Sequence, residues 1–147
     1  MKIDGRYVFE GPAPDAVWKF LTDPAQIAKC LPGCEELIPN DDGSYSMTLS
    51  IGIGAIRGKF SGKIRLHDVH PITDYAMTVS GSGAPGFVNG EGSVRLAAIE
   101  SGTELTYSGD VSAGGAIASV GQRMIGGAAR MVIDQFFKSA SAMLAAA

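Results

Sequence analysis

Two cysteines and two histidines are the side chains of this 147-residue sequence that most readily carry metal or redox chemistry. Cys30 and Cys34 flank a Leu-Pro-Gly turn, whereas His67 and His70 lie much further along the chain. A zinc site needs about four ligands, so two thiols do not define one by themselves. Packing of small side chains at a turn is the favoured interpretation of the cysteines, and a redox pair is the alternative. We therefore predict no metal site.

Catalysis by a nucleophile or by paired acids has little support in the sequence. Neither histidine accompanies a serine or cysteine in an elbow motif, so no catalytic triad is indicated. The adjacent acids Glu35-Glu36 and Asp41-Asp42 diverge on a strand or turn rather than converge on one substrate atom. Three tyrosines are the polar candidates for an interior site: Tyr45, Tyr75 and Tyr107. We predict no catalytic residues, and we keep an enzyme acting on a small hydrophobic substrate as an alternative hypothesis.

Four basic residues share the outward face of the strand predicted from Ile56 to Leu66, with no acid between them: Arg57, Lys59, Lys63 and Arg65. The whole chain carries a net charge of -3 and these residues contribute +4, so the rest of the chain carries -7. One interpretation is a solvated face that prevents pairing with other strands. The other is a docking face for an acidic partner or an anionic lipid surface. Aromatic residues are not interleaved with the basic ones, so nucleic acid is not an expected partner.

Length and composition predict one globular domain spanning residues 1–147. Hydrophobic residues make up 46% of the chain and charged residues 18%, which excludes an intrinsically disordered protein. The N-terminus alternates polar and apolar residues from Lys2 onward, unlike a signal peptide. Charged residues near the C-terminus keep every apolar run below the ~18–20 residues of a membrane span. With only two cysteines, these features predict a cytoplasmic protein without disulfide bonds.

The rest of the chain must be organised around its last segment, where the pattern predicts one long helix from Ala116 to Ala147. Apolar residues recur there at spacings of three, four and seven and form a broad face: Ile117, Val120, Met124, Ile125, Ala128, Ala129, Val132, Ile133, Phe136, Phe137, Met143 and Leu144. Four charged residues fall on the other side: Arg123, Arg130, Asp134 and Lys138. Gly126-Gly127 indicates either a bend or a place where another group packs close to the backbone. A helix this long cannot bury its apolar face alone.

Before this helix, residue patterns predict a strand, two short helices and a run of strands. The first strand covers Met1 to Gly11. Pro14 and Asp23-Pro24 supply the helix start signals, and Pro32-Gly33 ends the second helix. Between Cys34 and Ser112 the apolar period changes to two, and turn signals separate successive strands. The predicted fold class is α+β, with a curled antiparallel sheet wrapped around one long C-terminal helix and two short helices after the first strand.

Glycine is unusually frequent on the inward faces of the predicted strands. Six such positions hold it: Gly58, Gly62, Gly81, Gly90, Gly92 and Gly109. Glycine permits sharp bends and bulges in a sheet. Missing side chains would equally leave an apolar hollow between sheet and helix, which suits a hydrophobic ligand. Both interpretations stay open, since curvature and cavities often occur together in curled sheets.

Three segments resemble a known family. Residues 17–24, Val-Trp-Lys-Phe-Leu-Thr-Asp-Pro, resemble the first helix of the START-related helix-grip (SRPBCC) superfamily. Cys30-Leu31-Pro32-Gly33-Cys34-Glu35 resembles the hallmark of the CoxG family of carbon monoxide dehydrogenase subunits, and residues 124–129 with Phe136-Phe137 are similar to its final helix. The resemblance implies a helix-grip fold with a hydrophobic cavity. It also implies a non-catalytic accessory to molybdenum-containing CO dehydrogenase and related hydroxylases, linked to membrane recruitment and to carrying a quinone-like electron acceptor.

We therefore expect an accessory protein that binds a lipid or an isoprenoid-quinone-like molecule and serves a molybdenum hydroxylase of the CO dehydrogenase type. No cofactor is expected to be tightly required beyond such a bound molecule. The expected location is cytoplasmic and peripheral at the inner face of the membrane. The alternative is an assembly or membrane-tethering factor whose cavity is incidental. The expected ligand-binding residues are Trp18, Ile27, Leu31, Met47, Leu49, Phe60, Met77, Val79, Phe87, Val88, Tyr107, Met124, Ile125, Ala128 and Val132.

An entrance to the hollow is expected at the glycine-rich segment from Gly81 to Gly90. Its glycines leave few side chains to hold it down, and Phe87 gives it an apolar tip that would cover the hollow. The short helices between Pro14 and Leu31 would form the opposite lip, with Pro32-Gly33 as their hinge. A simple hairpin turn is the alternative interpretation of the same segment.

Overall fold

The structure, a computed structural model, describes residues 1–146, which form strands, three α-helices and one 3-10 helix. The strands are β1 (Lys2–Glu10), β2 (Cys34–Pro39), β3 (Tyr45–Ile53), β4 (Ile56–His70), β5 (Asp74–Gly83), β6 (Gly86–Ile99) and β7 (Gly102–Gly114). The helices are α1 (Pro14–Leu21), α2 (Pro24–Cys30), the 3-10 helix (Gly115–Val120) and α3 (Gln122–Ala146). Within residues 1–146, no helix is both long enough and apolar enough to cross a membrane.

The two short helices begin where the sequence predicts. Pro14 occupies the first turn of α1, and Asp15 places a negative charge at the same end. The Asp23 side chain accepts a hydrogen bond from the backbone N–H of Ala25 at 3.0 Å and so caps α2. The prediction of two short helices after the first strand is confirmed.

The strands form one seven-stranded antiparallel sheet in the order β1-β7-β6-β5-β4-β3-β2. From β2 to β7 each strand pairs with the next along the chain, and β1 pairs with β7. This topology confirms the predicted α+β helix-grip class. Strand β2 is absent from the sequence expectation, because Glu35-Glu36 and Pro39 weaken its strand pattern. Pairing with β3, from Cys34 opposite Leu49 to Pro39 opposite Tyr45, overrides that weak propensity.

The final helix starts later than the sequence predicts. Residues 115–120 form a 3-10 helix, in which Ser119 Oγ donates a hydrogen bond to the Ala116 carbonyl at 2.7 Å. Gly121, at φ +92°, then redirects the chain, and α3 begins at Gln122. The prediction of a helix from Ala116 is therefore wrong, because the apolar period continues through a glycine at which the backbone turns. Ala147, its predicted end, lies outside the described residues.

One edge of α3 is packed tightly against β1. A Cβ at Gly126 would lie 2.8 Å from Met1 Sδ, so the Met1 side chain sits directly on the helix backbone. Further along the same edge, the rings of Tyr7 and Phe137 stack with their centroids 5.3 Å apart. Of the two interpretations of Gly126-Gly127, close packing therefore applies at Gly126.

Two clusters of buried side chains join the sheet to the helices. The first lies under α1 and the C-terminal half of α3: Phe9, Val17, Phe20, Leu21, Cys30, Tyr75, Val94, Leu96, Leu105, Phe137 and Ala140. The second lies under the start of α3 and the 3-10 helix: Ile56, Phe60, Ile117, Ile125 and Ala128. Gly81 borders Phe60 and is six residues from Tyr75 on β5, so the clusters lie ~20 Å apart along the strands.

The inward glycines divide into two groups by the room around them. A Cβ at Gly62 would overlap a carbonyl oxygen of β5, and one at Gly92 or Gly109 would lie 2.9 Å from a carbonyl oxygen of the neighbouring strand. Close backbone approach in the curled sheet requires glycine at these three positions. At Gly81 and Gly90 the nearest atoms to a Cβ would be 3.7 Å away, which is an ordinary contact. The bend interpretation holds for the first group, whereas a side chain has room at the second.

The substitutions Gly62→Ala and Gly90→Ala form a matched pair that tests this division. Gly62→Ala should lower the free energy of unfolding by about 2 kcal/mol or more, because β4 and β5 must move apart to relieve the overlap. Gly90→Ala should change it by less than about 1 kcal/mol, since the new methyl group has room. Urea denaturation followed by circular dichroism measures both values. Equal destabilisation would contradict the division.

Candidate ligand site

Half-buried apolar side chains line the concave face of the sheet between the two clusters. In register, Ile64 lies opposite Val79, Val79 opposite Gly90, and Gly90 opposite Val111. Strand alternation turns all four toward α3, yet the three side chains are only half-buried. Val132 of α3 is also half-buried. An apolar face that points inward but remains accessible suits a hydrophobic ligand.

The residues predicted to bind a ligand fall into several zones of this face. Three border the first cluster: Trp18, Met77 and Tyr107. Four belong to the second cluster or border it: Phe60, Val88, Ile125 and Ala128. Four lie in neither cluster: Met47, Leu49, Val79 and Val132. Ile27 of α2 and Leu31 at its C-terminus are half-buried. Ile64 and Val111 extend the middle zone, and strand alternation alone would have found them.

Two of the predicted residues, Phe87 and Met124, do not lie on the concave face. The Phe87 side chain is 46% exposed and covers Gly114, its partner on β7, on the outer side of the sheet. Its neighbour Val88 points inward instead. Met124 is 47% exposed at the start of α3. The structure therefore brings neither side chain to the space that Phe87 was expected to cover.

The expected gate, residues 81–90, is a tight β-hairpin. Gly83 of β5 pairs with Gly86 of β6, and only Ala84-Pro85 separates them. The backbone N–H of Ile117 donates to the Pro85 carbonyl at 2.7 Å and ties the tip to the 3-10 helix. A hydrogen-bonded ladder is costlier to open than a loose loop. The hairpin is thus the correct one of the two interpretations.

The expected opposite lip lies at the other end of the sheet. Trp18 of α1 meets Tyr75 edge-on, with ring centroids 5.5 Å apart, in the first cluster. Gly33 is not free to act as a hinge, because its carbonyl accepts the Ser50 N–H at 2.8 Å. A Cβ at Gly33 would also overlap the Ser50 carbonyl oxygen. The helices and the hairpin therefore cannot close on each other as two lips.

Two tyrosines place phenol groups on the inward side of the sheet. Burial raises the pKa of Tyr75 to about 12. Burial, with the negative charge of Asp134, also raises the pKa of Tyr107, and the positive charge of Arg130 opposes that change. The Tyr107 ring lies 5.7 Å from that of Phe137, centroid to centroid. Both phenols stay protonated at neutral pH and can donate a hydrogen bond to an oxygen atom.

The cysteines are packed thiols. Cys30 is buried with its Sγ 3.4 Å from Met143 Sδ, and Cys34 Sγ donates to the Glu36 carbonyl at 3.4 Å. Burial raises the pKa of both thiols, which disfavours the reactive thiolate. Among residues 1–146, no group of three or more His, Cys, Asp or Glu side chains is placed to hold a metal ion.

The basic residues of β4 are exposed on the outer face of the sheet, but two of them have acidic partners. Lys59 Nζ lies 3.1 Å from Glu35 Oε2, and Arg65 Nη2 lies 2.8 Å from Asp42 Oδ2. Two acids against four bases leave this face a charge of +2. The sequence shows no acid within the strand, and the acids come from β2 and from the turn before β3.

Asp42 borders a groove of about 240 Å³ on this outer face: Asp42, Ser44, Lys63, Arg65, Thr78 and Ser80. Hydrogen bonds from the Ser44 hydroxyl and backbone N–H, with the charges of Arg65 and Lys63, lower the pKa of Asp42 to about 2. Asp42 is therefore ionised at neutral pH and remains a partner for Arg65.

Comparison with known proteins places this fold in a family. The family model for CoxG, the G-type subunit of carbon monoxide dehydrogenase, matches residues 11–145. The chain belongs to the CoxG family. A conserved protein from Geobacillus kaustophilus, known from a crystal structure, is 37% identical and superimposes with a TM-score of 0.94, covering 99% of this chain and 95% of that one. No curated protein sequence matches this CoxG-family chain.

More distant solved structures share the fold of this CoxG-family protein. Protein CV1439 from Chromobacterium violaceum is 19% identical with a TM-score of 0.74, covering 97% of this chain and 96% of that one. The Zhui aromatase/cyclase from Streptomyces sp. R1128 is 14% identical with a TM-score of 0.69, covering 98% and 93%. At such identities the likeness supports the helix-grip architecture and carries no chemistry across.

Tyr75 should make the stability of this CoxG-family protein depend on pH in the alkaline range. Its pKa is raised above that of an unfolded tyrosine, so its contribution is complete below about pH 10 and is lost as pH rises toward about 12. At about pH 11 the loss for the parent, relative to Tyr75→Phe, should be about 1 kcal/mol. Urea denaturation of both proteins at several pH values measures it. Parallel pH curves for the two proteins would contradict the burial of this phenol.

Proposed function

We propose that this CoxG-family protein binds an apolar, isoprenoid-quinone-like molecule between its sheet and α3. In this proposal it acts as a non-catalytic accessory of a molybdenum hydroxylase of the CO dehydrogenase type and delivers or receives the quinone there. The family name supports the link to CO dehydrogenase. A carrier of a membrane-resident quinone must also meet the membrane, so peripheral contact with the inner leaflet is part of the proposal.

The observation that carries the proposal is the accessible apolar zone between two well-packed clusters. Gly81 and Gly90 leave room at its floor, and half-buried Val79, Val111 and Val132 surround that room. Titratable side chains are confined to its margins, at Tyr75 and Tyr107 in the residues described. An apolar wall with a few polar groups that fix orientation is the usual form of a small-molecule site.

The phenols at the first-cluster end supply the polar contacts that a quinone needs. A quinone has two carbonyl oxygens that accept hydrogen bonds, and its tail is hydrocarbon. Raised pKa values keep Tyr75 and Tyr107 as donors at neutral pH. In the proposed orientation the ring of the quinone lies toward these tyrosines and the tail extends past Gly90.

Filling the space at Gly90 tests the carrier proposal. Gly90→Met should weaken binding of decylubiquinone about tenfold, because the new side chain occupies the room of the ligand. Trp18 is the single tryptophan, so quenching of its fluorescence by the quinone reports binding directly. Asn89→Met is the matched control, since residue 89 is the exposed outward neighbour on the same strand.

The results separate the two hypotheses for this family member. Weaker binding in Gly90→Met with parent-like binding in Asn89→Met supports the carrier. Absence of decylubiquinone binding to the parent protein would reject the carrier and leave the assembly or tethering factor. Circular dichroism spectra of the three proteins exclude unfolding as the cause of any loss.

The basic face of β4 is proposed as the docking surface for the oxidoreductase. Among the described residues, Arg57 and Lys63 form no ion pair with a carboxylate, whereas Lys59 and Arg65 do. Lys63 is flanked across the strands by Ser46 and Ser80, which add hydrogen-bonding hydroxyls beside the charge. An acidic protein surface complements such a row of exposed cations.

Reversing the two unpaired charges tests this surface without breaking an ion pair of β4. The double substitution Arg57→Glu with Lys63→Glu should weaken association with purified CO dehydrogenase about tenfold at low salt, and salt should reduce the difference. Lys2→Glu with Lys138→Glu makes the same change in net charge elsewhere and should leave association unchanged. Biolayer interferometry measures affinity, and vesicles containing phosphatidylglycerol serve as a second target. Equal affinity of the β4 variant and the parent for CO dehydrogenase would reject docking through this face.

A further inference from the structure

We infer that the ligand reaches the concave face sideways, through the seam between the N-terminal half of α3 and β3. The lip of this seam on the helix is an uncharged strip formed by Met124, Met131 and Gln135. The inference rests on the proposed function, because it assumes that an apolar ligand occupies the concave face. It adds the route of uptake and the residues that control its rate.

One edge of α3 is sealed by the sheet. Met1 packs on the backbone at Gly126, and the rings of Tyr7 and Tyr107 pack against Phe137. Gly126 and Phe137 are eleven residues apart, about three helical turns, so both lie on the same side of the helix. Side chains of β1 and β7 therefore close this edge over most of the helix length.

The other edge of α3 is apolar and exposed. At about 100° per residue, Met124 and Met131 lie roughly 140–160° around the helix from Gly126, so both project away from β1. Their side chains are 47% and 58% exposed. Gln135 continues the strip one turn beyond Met131 and is also exposed. The charged residues of α3 follow a different line, on its outer side: Arg123, Arg130, Asp134 and Lys138.

The sheet offers a low floor leading to this exposed edge. Gly81 lies opposite Gly62, and Gly62 lies opposite Met47 of β3. Two successive positions without side chains thus connect the room at Gly81 with β3. Beyond them, Leu49 and Ile51 of β3 point inward and are half-buried, so the wall across the seam is apolar and accessible.

Other routes to the same space are closed by observed contacts. The β5–β6 hairpin is paired to its tip and held by the bond from the Ile117 N–H to the Pro85 carbonyl. The end under α1 is filled by the first cluster, in which Val17 and Leu21 are 0% and 3% exposed. The seam is where apolar side chains remain accessible on both of its walls.

The chemistry of the lip fits passage of a hydrocarbon chain. Methionine is unbranched and adaptable, so it yields to a passing chain and closes behind it. A charged side chain at the same place would have to lose water each time an apolar chain slid past it, which raises the barrier in both directions. The lip should therefore control rates and leave equilibrium binding unchanged.

Stopped-flow fluorescence with decylubiquinone, using quenching of Trp18, tests this inference. Met124→Lys and Met131→Lys should each lower the association and dissociation rate constants about tenfold while changing Kd less than about twofold. Met131→Leu should keep the parent rates, because it preserves an uncharged lip. Phe87→Lys is the matched control: Phe87 is as exposed as Met124, and the new charge lies on the hairpin.

Three outcomes would count against the seam or its lip. Parent-like rates in both lysine variants at α3, or slowed rates in Phe87→Lys, would place the entrance elsewhere. A weaker Kd with an unchanged association rate would make the methionines part of the binding wall and would overturn their role as a lip. Failure of the parent to bind decylubiquinone would overturn the proposed function itself, which is a different outcome from binding with unchanged rates.

Discussion

Close approach of neighbouring strand backbones is the constraint on which this structure depends. At Gly62, and at the Gly92–Gly109 pair where two glycines face each other across β6 and β7, carbonyl oxygens occupy the space that a side chain would need. A sheet crowded in this way curls instead of lying flat. The curl brings the two ends of the sheet to α3, and each end forms its own cluster of buried side chains there.

The same curl makes the grip on α3 asymmetric. Because β1 rolls onto the helix, Met1, Tyr7 and Tyr107 reach its near edge and fix it. On the side of β3, the helix meets the sheet through the second cluster only near its N-terminus, at Ile125 and Ala128. A helix held firmly along one edge and more loosely along the other provides both a rigid wall for binding and a place for exchange.

Local patterns predicted much of this fold, and contacts between distant residues account for what they missed. Alternation indicated the strands and the inward glycines, and start signals indicated α1 and α2. Strand β2 exists because β3 pairs with it, and the break at Gly121 depends on a backbone turn that hydrophobic periodicity does not register. Likewise the acids that face Lys59 and Arg65 come from other segments, so the sequence of β4 alone does not reveal them.

The candidate site was less predictable, because one residue type serves two purposes on the same face. Gly62 is required by backbone crowding, whereas Gly81, its direct neighbour across the strands, has room for a side chain. Curvature therefore does not explain Gly81 or Gly90. A valine at such an inward position would gain ~1.5–3 kcal/mol from burial, so leaving the space open forgoes stability. Proteins accept such losses where activity requires them, and this favours a functional reason for the open zone.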